Sequence, residues 1–178
     1  LVSLKKGRER PCLILHGGIG AGKTQTAAKL SSDLKERGIK VGGVLSPRIT
    51  KGDETIGYAI RDLSTDERRP FARLTPPGIA IGRFYLSPAS LSFARAAIEQ
   101  AATTAQVVFV DEVGRLELGG EGHAQAIRVL LRSQALSILL VRSAFVERVV
   151  KAFGIAHYTI LPVESGAPAI SNGEGGDC

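Results

Sequence analysis

Eight consecutive residues, Gly17-Gly18-Ile19-Gly20-Ala21-Gly22-Lys23-Thr24, constrain this chain more than any other stretch. They fit G-x-x-x-x-G-K-[ST] without a mismatch. The glycines let the backbone curl with its N–H groups facing inward and leave room for anionic oxygens. Ala21 adds little bulk. Lys23 can reach the β- and γ-phosphates of a bound polyphosphate, and the Thr24 hydroxyl can ligate Mg2+. The context suits this chemistry. Residues 12–16 (CLILH) read as a short buried strand, and residues 24–37 read as a helix with Ala27, Ala28, Leu30 and Leu34 at three- and four-residue spacing, stopped by Gly38. A helix beginning at the loop adds unpaired N–H groups and the positive end of its dipole. Residues 17–24 are therefore expected to hold a nucleoside triphosphate such as ATP or GTP.

The rest of the chain alternates in the same way. Residues 41–45 form a strand candidate broken by Gly42 and Gly43 and ended by Pro47. Residues 87–104 read as a helix opened by Ser87-Pro88, with Leu91, Ala94, Ile98 and Ala101 along one face. A fully apolar strand at 107–110, a helix at 121–133, a strand at 137–141, a helix at 143–153 stopped by Gly154 and a strand at 157–161 follow. Continuous apolar strands alternating with helices predict an α/β three-layer sandwich, a mainly parallel sheet with helices on both faces. Residues 50–86 break the pattern. Short apolar stretches separated by Lys51-Gly52-Asp53 and Pro76-Pro77-Gly78 predict an inserted antiparallel hairpin region of two or three strands. Thr50-Lys51-Gly52-Asp53 has the T-K-x-D form of a guanine-reading motif. It precedes the acidic strand end instead of following it, so it reads as a hairpin turn.

A phosphate loop needs a carboxylate beside the cation. Val107-Val108-Phe109-Val110-Asp111-Glu112 supplies one at the end of a buried strand, expected to lie beside the strand that feeds the loop. Asp111 is the candidate to hold Mg2+ with Thr24, and Glu112 to polarise the attacking water as the catalytic partner of Lys23. Gly114, Arg115 and Glu117 continue this segment as a solvated turn. Arg115, Arg142 and Arg48 are three candidates for a cation facing the γ-phosphate.

The 178 residues suffice for one such domain, assigned to 1–163, with a Gly-, Ser- and Ala-rich flexible tail at 164–178. No apolar run reaches membrane-spanning length, and no signal peptide is expected. Cys12 reads as a buried small hydrophobe and Cys178 lies in the tail, so a reduced, cytoplasmic protein is expected. The net charge is +6, but the Lys and Arg are scattered and aromatics make up only 5%. That balance favours a polyanionic nucleotide over nucleic acid.

The phosphate loop, residues 43–46, the Gly57-Tyr58 pair and above all Val110-Asp111-Glu112-Val113-Gly114-Arg115-Leu116-Glu117-Leu118 resemble the THEP1-type nucleoside-triphosphatase family, whose signature is close to D-E-[IV]-G-[KR]-M-E-L. The resemblance spans about 11–161. It implies a RecA-like P-loop core with an inserted hairpin and slow hydrolysis of ATP, GTP and other triphosphates to diphosphate and phosphate. It also implies that residues 17–24 form the triphosphate site, with Asp111, Glu112 and Gly114 as its second segment. Leu116 replaces the usual Met, a volume-conserving change. After its second strand the family tends to carry Thr, an acid and Arg at alternate positions. This chain has Ser46, Arg48 and Thr50, so the acid is missing and the arginine displaced. Two alternatives stand beside hydrolysis: a small-molecule or nucleotide kinase on the same fold, using the basic 61–73 stretch, and a nucleotide-gated adaptor.

Overall fold

The computed structural model describes residues 12–163. The 164–178 tail and Cys178 lie outside the described residues. Strand β1 (Cys12–Gly17) runs into the phosphate loop and then helix α1 (Lys23–Glu36). Strand β2 (Val41–Leu45) follows. The inserted region holds β3 (Arg48–Lys51), β4 (Glu54–Asp62), β5 (Arg68–Arg73), β6 (Ile79–Ile81) and β7 (Phe84–Leu86). Helix α2 (Pro88–Thr104) leads to β8 (Val107–Val113), short α3 (Arg115–Leu118), α4 (Ala124–Leu131), β9 (Leu136–Arg142), a 3-10 turn at Ser143–Phe145, α5 (Val146–Phe153) and β10 (Thr159–Pro162).

One sheet carries all ten strands of the described residues. Its parallel core has the order β10-β1-β9-β8-β2, and the antiparallel insertion continues from β2 through β4, β5, β7 and β6, with β3 paired to β4. The alternation of side chains divides the core. Val108, Val110, Leu139 and Ile14 pack toward α2, α4 and α5, while Phe109, Leu140, Leu15 and Leu45 pack toward α1. Helices thus cover both faces, as the alternating pattern predicts.

Four details differ from the sequence reading. The strand ending in the acids does not lie beside the loop-feeding strand: β9 lies between β1 and β8. Sequence order cannot reveal this, because β9 is made after both. Strand β2 is unbroken and wholly buried despite its glycines. Gly43 has φ +88°, and a Cβ there would collide with the Phe109 backbone, so glycine lets β2 come close to β8. The insertion has five strands instead of two or three and starts at Arg48; Lys51-Gly52-Asp53 does turn the chain between β3 and β4, with Gly52 at φ +59°. Finally, the helix expected at 121–133 begins at Ala124, and residues 115–118 form a helical turn where a solvated turn was expected. Helix α2 starts as predicted: the Ser87 hydroxyl accepts from Ser90 N at 3.2 Å, with Pro in the first turn.

Candidate functional site

Because the core strands are parallel, their carboxyl ends line up at one edge. Gly17 lies opposite Arg142, Val141 opposite Val113, and Val44 opposite Val110. That register gathers the phosphate loop, Ser46, the two acids and Arg142 at the position where open α/β sheets bind ligands. Helix α1 contacts both β1 and β2, so it passes over the two strands between them, β9 and β8. This path carries Thr24 to β8: Thr24 Oγ1 donates to Asp111 Oδ2 at 2.7 Å.

The loop itself is set for an anion. Gly20 and Gly22 take φ of +76° and +88°, and Gly22 caps α1. The first turn of α1 has neither a side-chain cap nor an acidic residue, leaving its N–H groups and positive pole to a ligand. Lys23 is buried. Its Nζ donates to Gly17 O at 3.1 Å and Gly18 O at 2.8 Å, inside the curl. Burial lowers the Lys23 pKa, while the charges of Glu112 and Asp111 raise it. Ile19, at the tip, is 80% exposed.

Asp111 is fully buried at the end of β8. Its Oδ2 accepts from Thr24 Oγ1 and from Ser46 N at 2.9 Å, and its Oδ1 accepts from Glu112 N at 2.8 Å. Burial, then the charge of Glu112, pushes its pKa up to about 6, against the pull of those three hydrogen bonds. Glu112 faces outward. The register between β8 and β9 slips here, with Val110 opposite Leu139 and Val113 opposite Val141, so β8 holds one extra residue. This bulge places Glu112 at φ +59°, a conformation uncommon outside glycine. The extra residue returns Val113 to the face of Val110 and leaves Glu112 exposed beside the buried Asp111. Arg142 Nη2 lies 3.5 Å from Glu112 Oε2.

Of the three arginine candidates, Arg142 therefore pairs with Glu112. Arg48 Nη2 lies 3.9 Å from where a Cβ on Gly20 would stand, close to the loop. The Arg115 guanidinium lies 6.0 Å from the centre of the Phe145 ring. Glu117 is buried instead of solvated. Its Oε2 accepts from Gly114 N at 2.9 Å and its Oε1 from His123 N at 3.0 Å, so it shapes the segment behind Glu112. Burial raises its pKa and these bonds lower it. The three-residue spacing Gly114…Glu117 is that of a helix-start capping pair and could have revealed it. Ser46 N and His123 had no comparable signal, because their positions depend on strand and loop packing.

A strand–glycine loop–helix unit whose hydroxyl meets a buried carboxylate on a second strand defines a P-loop nucleotide-binding protein. The comparisons give the family. A family model described as NTPase matches residues 12–164. The nucleoside-triphosphatase THEP1 of Methanopyrus kandleri is 37% identical over 116 residues, a match spanning 65% of this chain and just under two thirds, 64%, of that protein. The Thermofilum pendens protein of the same name is 32% identical over 122 residues, 67% of each chain. This chain belongs to the THEP1-type nucleoside-triphosphatase family. Two solved structures share its fold: THEP1 from Aquifex aeolicus, with TM-score 0.70, 17% identity and 86% and 90% of the two chains covered, and a human cancer-related nucleoside triphosphatase, with TM-score 0.66, 21% identity and 87% and 88% covered.

Proposed function

We propose that this chain hydrolyses nucleoside triphosphates, ATP and GTP among them, to diphosphate and phosphate, with Mg2+ and little base preference. The observation that carries the reading is the 2.7 Å contact between Thr24 Oγ1 and Asp111 Oδ2, which joins the phosphate loop to a buried acid. The family's name points to hydrolysis, and nothing in the relatives favours the kinase or adaptor alternative.

The donor set fits Mg2+. It is all oxygen, a hydroxyl and a carboxylate, and no group of three or more His, Cys, Asp or Glu side chains forms a cage among the described residues. Mg2+ suits such a site because it keeps waters and takes further ligands from substrate phosphates. Thr24 and Asp111 would hold it, and it would supply positive charge against the β- and γ-phosphate oxygens. The loop N–H groups of residues 17–22 would grip the polyphosphate. Lys23 would exchange its loop carbonyls for phosphate oxygens. Glu112 would orient a water in line with the γ-phosphorus and accept its proton. Arg142, 3.5 Å from Glu112, would hold that carboxylate in place and face the developing charge. Burial pushes the Cys12 thiol up to about 11, and a cytoplasmic setting is part of this reading.

The test is a phosphate-release panel over ATP, GTP, CTP and UTP, with Mg2+ or a chelator. Release from all four within about tenfold of one another, and its loss on chelation, is expected. Transfer to an added acceptor without free phosphate would refute hydrolysis.

The raised Asp111 pKa gives a pH dependence. The protonated carboxyl cannot hold a cation, and in the nucleotide-free protein Asp111 is half protonated at a pH of about 6. Mg2+-dependent ATP binding is therefore expected to be full above about pH 7. It should weaken below the folded pKa, approaching tenfold per pH unit. Magnesium titrations from about pH 5 to about pH 8 read this directly. A flat profile would take Asp111 away from the cation.

A further inference from the structure

Past the phosphate loop, the same end of the sheet holds a cleft of about 390 Å3. None of residues 17–24 lines it. One wall is the segment from Glu112 to Glu117 with Arg142, and the other is the antiparallel insertion, with Tyr58, Phe71 and Phe84. Its size is in the lower part of the roughly 300–1,000 Å3 range of small-molecule sites, and like them it is largely apolar with a few polar groups.

Those polar groups point to a ligand. Ser46 Oγ and His123 Nδ1 are buried without a hydrogen-bond partner among the described residues, and both residues line the cleft. Ser46 is 3% and His123 2% exposed. A buried polar atom left unpaired costs about 1–3 kcal/mol, so two at one cavity are a specific deficit that an occupant can make good. Burial lowers the His123 pKa to about 4, so its ring is neutral and offers one donor and one acceptor nitrogen. That ring stacks on Phe71 at 6.1 Å and 16°. Across the cleft, Tyr58 and Phe84 meet edge to face at 5.4 Å. The charges are unbalanced. Arg83, Arg115 and Arg142 line the cleft. Arg142 pairs with Glu112 at 3.5 Å and Arg83 with Glu54 at 3.2 Å, which leaves Arg115 as the lining guanidinium with no ion pair among the described residues, while both Glu117 carboxylate oxygens already accept backbone N–H groups.

We propose that this cleft is a second ligand site, for a small planar aromatic or heteroaromatic molecule bearing an anionic group. The rings of Tyr58, Phe71 and Phe84 take the flat body, His123 and Ser46 take its hydrogen-bonding groups, and the Arg115 guanidinium takes its charge. An occupant lies against Glu112 and Arg142, so the site is placed to couple to the nucleotide's terminal phosphate. Binding itself does not depend on the proposed hydrolysis and can be measured with no nucleotide present.

The probe is 8-anilino-1-naphthalenesulfonate, a planar aromatic anion, titrated into the full chain while histidine ring signals are followed by NMR. The His123 signals should move and saturate at one probe per chain. Ala72→Leu, which fills the cleft from β5, and His123→Phe, which keeps the ring but removes the nitrogens, should each weaken binding about tenfold with a cooperative thermal melt retained. Lys23→Ala should leave the probe affinity unchanged. If Ala72→Leu fails to fold, His123→Phe decides the matter. The proposal is overturned by the absence of saturable binding, which would mean a hydrated cleft only. It is equally overturned by several probes per chain, by unchanged affinity in the folded His123→Phe protein, or by loss of binding in Lys23→Ala, which would put the probe in the phosphate loop.

Discussion

Replacing Lys23 by alanine is expected to lower kcat/KM for ATP hydrolysis about 10²–10³-fold, on the scale of removing one charge-stabilising donor from a transition state. The ammonium is held within the loop by Gly17 O at 3.1 Å and Gly18 O at 2.8 Å, so it is already where the phosphates would enter. It is also the only cationic side chain within residues 17–24. Burial disfavours its charge, and Glu112 and Asp111 restore part of it. Truncation therefore removes positive charge from a site that keeps both acids, so triphosphate affinity should fall together with turnover. Lys23→Arg should rescue little, because the wider planar guanidinium does not fit a curl that encloses a compact ammonium. Phosphate release and equilibrium dialysis with ATP, run on the same variants, separate the two effects. Normal turnover in Lys23→Ala would remove residues 17–24 from the chemistry.

Much of this site could be read before any coordinates. Residues 17–24 carry a local mechanism, since a strand, a glycine curl and a helix start are all short-range features. Asp111 and Glu112 stood out because four apolar residues place them at a strand end. What could not be read depends on the order of strands in space. The chain makes β9 after β8 and then inserts it between β8 and β1, and nothing local to residues 136–142 says so. The consequence is that Arg142, one of three equal candidates in the sequence, lies opposite Gly17 and beside Glu112. Glu117 was misplaced for a related reason. A four-residue helix of alternating charged and leucine residues is too short for a helical period to show, and the burial of Glu117 comes from the loop that folds back through His123. The insertion was undercounted because three-residue strands such as β6 and β7 are too short for their alternation to register.

The bulge at the end of β8 makes a second prediction of comparable size. Glu112→Gln should leave Mg2+-dependent ATP binding within about threefold of the parent protein and reduce turnover about 10²–10⁴-fold, the range for loss of a positioned general base. Glutamine keeps the length and shape of the side chain and tolerates the same φ of +59°, so the backbone that turns Asp111 inward is not disturbed. It also keeps the Glu112 N donor to Asp111 Oδ1 at 2.8 Å, so the buried carboxylate retains its three partners. Two electrostatic changes follow from the lost charge. Burial still raises the Asp111 pKa, but the second cause, the Glu112 charge, is gone, so Asp111 ionises more readily and the cation end is preserved or strengthened. Arg142 loses its partner at 3.5 Å and is free to turn to the γ-phosphate, which favours binding while the water lacks a base. The variant should thus trap the bound triphosphate. Single-turnover phosphate release beside ATP affinity checks this split, and a parallel loss of affinity and rate would make Glu112 a binding group, not a base.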